Sequence, residues 1–136
     1  MKYNGVVQRK LSLLNNQVLK LEESLRDVSY GKFEESWILR SMAERALQVA
    51  AEIMIDVTER IIALEKAGPV ATAAEAIESL VGLRVIESAQ PYVDIVRFRN
   101  LIVHQYKEID PSILFDLAKN HLGDFKKFRD EIDQLN

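Results

Sequence analysis

The sequence predicts an all-α, antiparallel up-and-down bundle of four to five helices with a long second helix. Three observations predict it. Apolar residues recur at steps of three and four over long stretches, and no stretch alternates as a half-buried strand would. Glycine and proline, with five and three copies in 136 residues, stand mostly where helices should break. A chain of this length, residues 1–136, forms one domain.

The first segment, about residues 6–28, places Val7, Leu11, Leu14, Val18, Leu21, Leu25 and Val28 on one stripe, and Gly31 marks the break after it. The second, about 33–66, carries Phe33, Trp37, Met42, Leu47, Ile53, Met54, Val57, Ile61 and Leu64 and stops before Gly68-Pro69. Trp37, Met42 and Met54 sit at helical core spacing and read as packing residues. The third, about 71–86, is alanine-rich and shorter. The fourth runs from Pro91 to Tyr106, and the fifth starts at Pro111, behind Asp110 as N-cap, and continues to about Leu135.

Apolar residues make up 48% of the chain, charged residues 29%, and the net charge is −3, which suits a soluble globular core and excludes wholesale disorder. There are no cysteines, so disulfides, thiolate zinc sites and cysteine nucleophiles are excluded. No apolar run reaches the roughly 18 residues of a membrane span, and Met1 to Lys10 lacks a signal-peptide core. A cytoplasmic protein without a membrane association is expected. Charge is uneven: residues 97–129 carry 7 Lys/Arg against 4 Asp/Glu, whereas residues 30–96 carry 6 against 11. That balance disfavours a broad nucleic-acid platform and permits a local basic site near the fourth and fifth helices.

Glycine-rich phosphate motifs are absent. Glu52, Asp56 and Glu59 share one face of the second segment and read as a solvated or salt-bridged face. A carboxylate metal site on helices would add Glu-x-x-His pairs, but Leu101 stands three before His104 and Ala118 three before His121. Neither a metal nor a cofactor is expected. His121, between Asn120 and Leu122, reads as a surface histidine with no titratable helper.

The fourth segment differs from the others. At about 100° per residue, Ile95, Phe98, Leu101 and Ile102 form one arc, read as the core face. Val93, Val96 and Val103 lie on the other side, mixed with Arg99, Asn100 and His104, which implies a second buried face. Another copy of the chain is the simplest cover, because a two-fold dimer buries the same patch twice. Asn100 and His104, four apart, project together, while Arg99 and His104 lie about 140° apart on one helix, a gap that a two-fold contact could close. Tyr106, seven beyond Arg99, lies nearly above it. Two readings stand open. One is a structural Arg-Asn-His-Tyr network that fixes dimer register. The other is a catalytic pair: histidine moves protons near neutrality, and arginine's cationic fork holds a phosphate. Those two side chains suffice for metal-free RNA cleavage by the substrate's own 2′-hydroxyl, which DNA lacks.

The run Arg99-Asn100-Leu101-Ile102-Val103-His104-Gln105-Tyr106 resembles the signature of the HEPN superfamily, and in particular of HepT-like toxins: Arg, four to six residues, His, any residue, Tyr. The order and length of the other helices are similar over nearly the whole chain. The resemblance implies a homodimeric, metal-independent endoribonuclease toxin whose catalytic residues correspond to Arg99 and His104, with Asn100 supporting the site. It implies RNA as substrate and, as partner, a small MNT-type nucleotidyltransferase antitoxin that silences the toxin by transferring AMP to the tyrosine matching Tyr106. Lys107, where relatives often carry an aromatic, adds positive charge beside the presumed RNA groove, and Arg97 is a second candidate RNA contact. Catalytically inactive HEPN proteins exist, so an inactive module that docks a nucleotidyltransferase is the alternative function, and a purely structural helical dimer is the third.

Overall fold

The computed structural model describes residues 3–104 and 108–135. Among these residues it contains seven helices and no strand: α1 (Val6–Leu25), α2 (Tyr30–Glu35), α3 (Trp37–Leu64), α4 (Ala73–Gly82), α5 (Tyr92–His104), α6 (Pro111–Asn120) and α7 (Leu122–Asp133). The all-α bundle of the sequence reading is therefore present. No helix among the described residues is long and apolar enough to cross a membrane.

The stripe Val7, Leu11, Leu14, Val18, Leu21 and Leu25 is buried along α1, as the spacing predicts. It packs on α3, which at 28 residues is about 42 Å long and touches all six other helices. A helix covered on several sides cannot be read from a single stripe. Its buried set accordingly includes the small residues Ala43, Ala50 and Ala51 beside Leu47, Met54, Ile55, Val57, Ile61 and Ile62. Thr58, also buried, satisfies its hydroxyl by donating to the Met54 carbonyl at 2.9 Å.

The second predicted segment is two helices rather than one. Ser36 is extended, and its hydroxyl accepts the Leu39 amide at 3.1 Å, which caps α3 and ends α2. Ser29 caps α2 in the same way at 3.3 Å, so Gly31 lies inside α2 and the break falls just before it. Phe33 on α2 is fully buried. Trp37, expected in the core, is 65% exposed: the turn at Ser36 changes the helical phase, and a stripe drawn through both pieces misplaces it. Met42 is half-buried and Met54 fully buried, in keeping with packing roles.

α3 ends with the Lys66 amide donating to Ala63 and that of Ala67 to Ile62, with Lys66 left-handed at φ 54°. α4 opens with the Thr72 hydroxyl accepting the Glu75 amide at 3.1 Å, while the Glu75 carboxylate accepts the Ala71 amide at 3.0 Å. It is shorter than predicted, but Val85 and Ile86 beyond its end remain buried. The fifth predicted segment also divides, at His121, into α6 and α7. Asp110 caps α6 as expected, accepting the Ser112 amide at 2.8 Å, and these bonds hold its carboxyl below the usual range. The long helix of the sequence reading is thus the third in the chain.

Candidate active site on α5

α5 is anchored at its start. The Tyr92 hydroxyl donates to Glu131 on α7, and the other Glu131 oxygen accepts the Glu87 amide at 2.7 Å. The Tyr92 ring meets Phe128 edge-on with centroids 5.3 Å apart. Burial, reinforced by the bond to Glu131 and its charge, pushes the Tyr92 phenol far above its usual range. The first turn is thereby fixed between α3, α4 and α7.

Both faces of α5 pack on the core, and the valine face is covered more fully than the arc expected there. Tyr92, Val93 and Val96 are buried within the protomer, whereas Ile95, Phe98, Leu101 and Ile102 are only half-buried. Of the three valines assigned to a second surface, only Val103 is exposed. The fuller cover of the valine face has a physical cause. α5 enters the bundle through Tyr92, so the arc that includes Tyr92 becomes the core side, and that arc holds the valines. Ile95 and Phe98 of that arc border a groove of about 370 Å³ with Leu47, Leu117 and Phe125 among its walls.

Arg99 lies at the edge of the buried face. One guanidinium nitrogen, Nη1, is 3.4 Å and 3.5 Å from the two Glu52 carboxylate oxygens on α3. Its Nε is enclosed without an acceptor among the described residues. The guanidinium is thus held by Glu52 through one nitrogen only, and the side chain stays 22% exposed, so an anion can still approach its open side. Arg99 also borders a second cleft of about 370 Å³, between α3 and the connection to α4.

His104, the last residue of α5, is exposed, as is Asn100 one turn before it. Within the protomer Arg99 is bonded to Glu52 and not to His104. Arg97 is exposed and pairs with Asp94 at 3.3 Å. Tyr106 and Lys107, the candidate modification site and a candidate RNA contact, lie outside the described residues.

Glu52 is the residue that sequence reasoning did not single out. It was grouped with Asp56 and Glu59 on one face, and the structure separates the three. Glu52 holds Arg99, Asp56 meets Lys10 at 3.6 Å, and Glu59 borders the Arg99 cleft. His121 is on the surface, as expected, but it has titratable neighbours: Nε2 is 3.2 Å from Asp116 and Nδ1 3.5 Å from Asp124. Spacing points to Asp124, one turn ahead, whereas Asp116 stands five before, across the break at His121, and only the fold brings it near. Among the described residues no group of three His, Asp or Glu side chains is placed to hold a metal ion.

Residues 14–132 match the family model described as Ribonuclease HepT-like. The chain is 25% identical over 133 residues to the mRNA nuclease HepT of Shewanella oneidensis, covering 95% of this chain and 97% of that protein. It is 26% identical over 112 residues to the tRNA nuclease HepT of Aphanizomenon flos-aquae, covering 81% and 76%. Its fold superposes with a TM-score of 0.88 on a tri-AMPylated Shewanella oneidensis HEPN toxin solved in complex with its MNT antitoxin, at 22% identity over 97% of this chain and 99% of that one.

Proposed function

We propose, for a chain that belongs to the Ribonuclease HepT-like family, that it is a metal-independent endoribonuclease toxin of the cytoplasm, held in check by an MNT-type nucleotidyltransferase. The observation that carries this reading is Arg99, fixed at the edge of the buried face of α5 by one nitrogen and still partly exposed beside a cleft. His104 stands five residues on, exposed at the end of the same helix.

In this mechanism Arg99 clamps the non-bridging oxygens of the scissile phosphate and stabilises the charge that develops on them. The RNA's 2′-hydroxyl attacks the phosphorus, and the bond to the 5′-oxygen of the next nucleotide breaks. His104 exchanges a proton with the attacking or the leaving oxygen, and Asn100 orients it by hydrogen bonding. The product ends in a 2′,3′-cyclic phosphate or its opened form. Arg97 and Lys107 supply positive charge along the RNA path. Silencing proceeds by adenylyl transfer to Tyr106: the phenol oxygen attacks the α-phosphorus of ATP, and pyrophosphate leaves.

The working unit is a two-fold homodimer. Burial of Val93 and Val96 inside the protomer removes the surface first assigned to it. Support comes instead from Trp37 and Ile38, 65% and 72% exposed at the start of α3. Trp37 shares a cleft with Glu108 and Ile109, just beyond α5. Adjacent large apolar side chains left in water favour an interface. Sedimentation of a lone protomer at micromolar concentration would overturn the dimer.

Cleavage of total RNA in the presence of EDTA tests the activity. The parent protein is expected to cut, and His104→Ala to lose about 10²-fold or more while remaining folded. One observation favours a second reading, an inactive module that docks a nucleotidyltransferase: Glu52 already occupies Arg99. That reading requires no cleavage by the parent and retained association with the transferase.

A further inference from the structure

We propose that the cleft between α3 and the connection to α4 is a nucleobase subsite that selects guanine, with Glu59 as the residue that reads the base. The proposal rests on the ribonuclease reading for its link to Arg99. The cleft encloses about 370 Å³ and is bordered by Glu59, Ile62, Pro69, Val70, Thr72 and Arg99. It therefore joins the guanidinium assigned to the phosphate with a second, oppositely charged group.

The spacing suits one nucleotide. Glu52, which holds Arg99, and Glu59 stand seven residues apart on α3, two turns and roughly 10 Å along one face. A nucleotide carries its phosphate and the hydrogen-bonding edge of its base at opposite ends of the sugar. With the phosphate on Arg99, the base reaches along α3 towards Glu59, and its flat face rests on the apolar wall of Ile62, Pro69 and Val70. Glu59 is exposed and makes neither a hydrogen bond nor an ion pair among the described residues, so its carboxylate is available. Thr72 and Glu75, by contrast, are spent on capping α4.

The chemistry of a carboxylate selects the base. An ionised carboxylate only accepts hydrogen bonds, and its two oxygens accept in parallel. Guanine alone presents two adjacent donors on its Watson–Crick edge, N1–H and the N2 amino group. Adenine and cytosine place a donor beside an acceptor, and uracil flanks its single donor with two carbonyls. Unpaired bases in single-stranded RNA are open to readout on this edge.

The test measures binding and cutting separately. The four 2′-deoxy dinucleotides d(GG), d(AA), d(CC) and d(TT) carry a bridging phosphate but no 2′-hydroxyl, so they bind without being cut. In calorimetric titration of the intact protein, d(GG) is expected to bind about tenfold more tightly than d(AA). Glu59→Gln, which turns one acceptor into a donor, is expected to erase that preference. Equal affinity for all four, or a preference unchanged in Glu59→Gln, overturns the subsite. A single-stranded RNA containing all four bases supplies the second arm. Guanine-selective binding without any cleavage keeps the subsite and overturns the ribonuclease reading. Cleavage that ignores guanosine, with equal dinucleotide affinities, does the reverse.

Discussion

Arg99 on α5 meets Glu52 on α3 through a single guanidinium nitrogen, 3.4 Å and 3.5 Å from the two carboxylate oxygens, with Glu52 40% exposed. A forked, fully engaged Arg–carboxylate pair closes to about 2.8 Å through two nitrogens. The pair is loose, so its contribution to folding is about 0–1 kcal/mol. Its larger effect is on what Arg99 can still bind.

Glu52→Gln is therefore expected to strengthen RNA binding. The substitution keeps an oxygen near Arg99 but removes a negative charge that competes with phosphate, a change on the order of 1 kcal/mol, or roughly fivefold in affinity. Filter binding of a non-cleavable deoxyoligonucleotide measures it. Weaker binding would show that Glu52 holds Arg99 in its working pose rather than competing for it.

Arg99→Lys keeps the charge and loses the fork. Under the proposed mechanism, cleavage is expected to fall by about 10²-fold or more, with thermal stability little changed. Initial-rate assays beside a thermal melt distinguish the two effects. Activity equal to that of the parent removes Arg99 from the phosphate clamp.

The misplaced tryptophan gives a paired test of the core. Met54→Ala is expected to cost about 2–5 kcal/mol, because Met54 is fully buried on the central helix. Trp37→Ala in the separated protomer is expected to fall within about 0.5 kcal/mol of the parent, as surface substitutions do. In the dimer the same change is expected to weaken association. Urea unfolding and sedimentation velocity check both.

Tyr3 supplies a pH prediction. Its hydroxyl donates to Glu65 at 2.8 Å. Burial first, then that bond and the Glu65 charge, push the phenol up to about 12. A tyrosine in the unfolded chain titrates near 10. The folded state therefore holds this proton more tightly, and the contribution is complete below about pH 10 and lost as pH rises through about 12. Thermal melts from pH 8 to 12 should show the parent losing stability faster than Tyr3→Phe above pH 10. Absorbance at 295 nm should lack the step near pH 12 in the variant.

Much of the architecture was legible because helices betray themselves by period. The α1 stripe, the Asp110 cap and the break at Gly68 all follow from local chemistry. Errors arose where two short helices share one apparent phase. Ser36 and His121 are ordinary residues in the sequence, and only the chain's extended turn at Ser36 and the bend at His121 reveal the divisions. Both arcs of α5 are apolar and both pack on the core, and tertiary contact through Tyr92 decides which is covered more fully. Arg99 and His104 were visible as residues, but the tie to Glu52 was not. It joins positions 47 apart, and three acids of equal promise stand on that face of α3.

The Glu131 carboxylate grips both the Tyr92 hydroxyl and the Glu87 amide. The helix bearing Arg99 and His104 thus hangs from a peg on α7, the last of the described helices. Shortening that last helix by a turn, or loosening it with a bulky appendage, would tilt the guanidinium and imidazole without touching either one. Helix α7 is in this sense a mounting bracket for chemistry performed some thirty residues earlier in the chain.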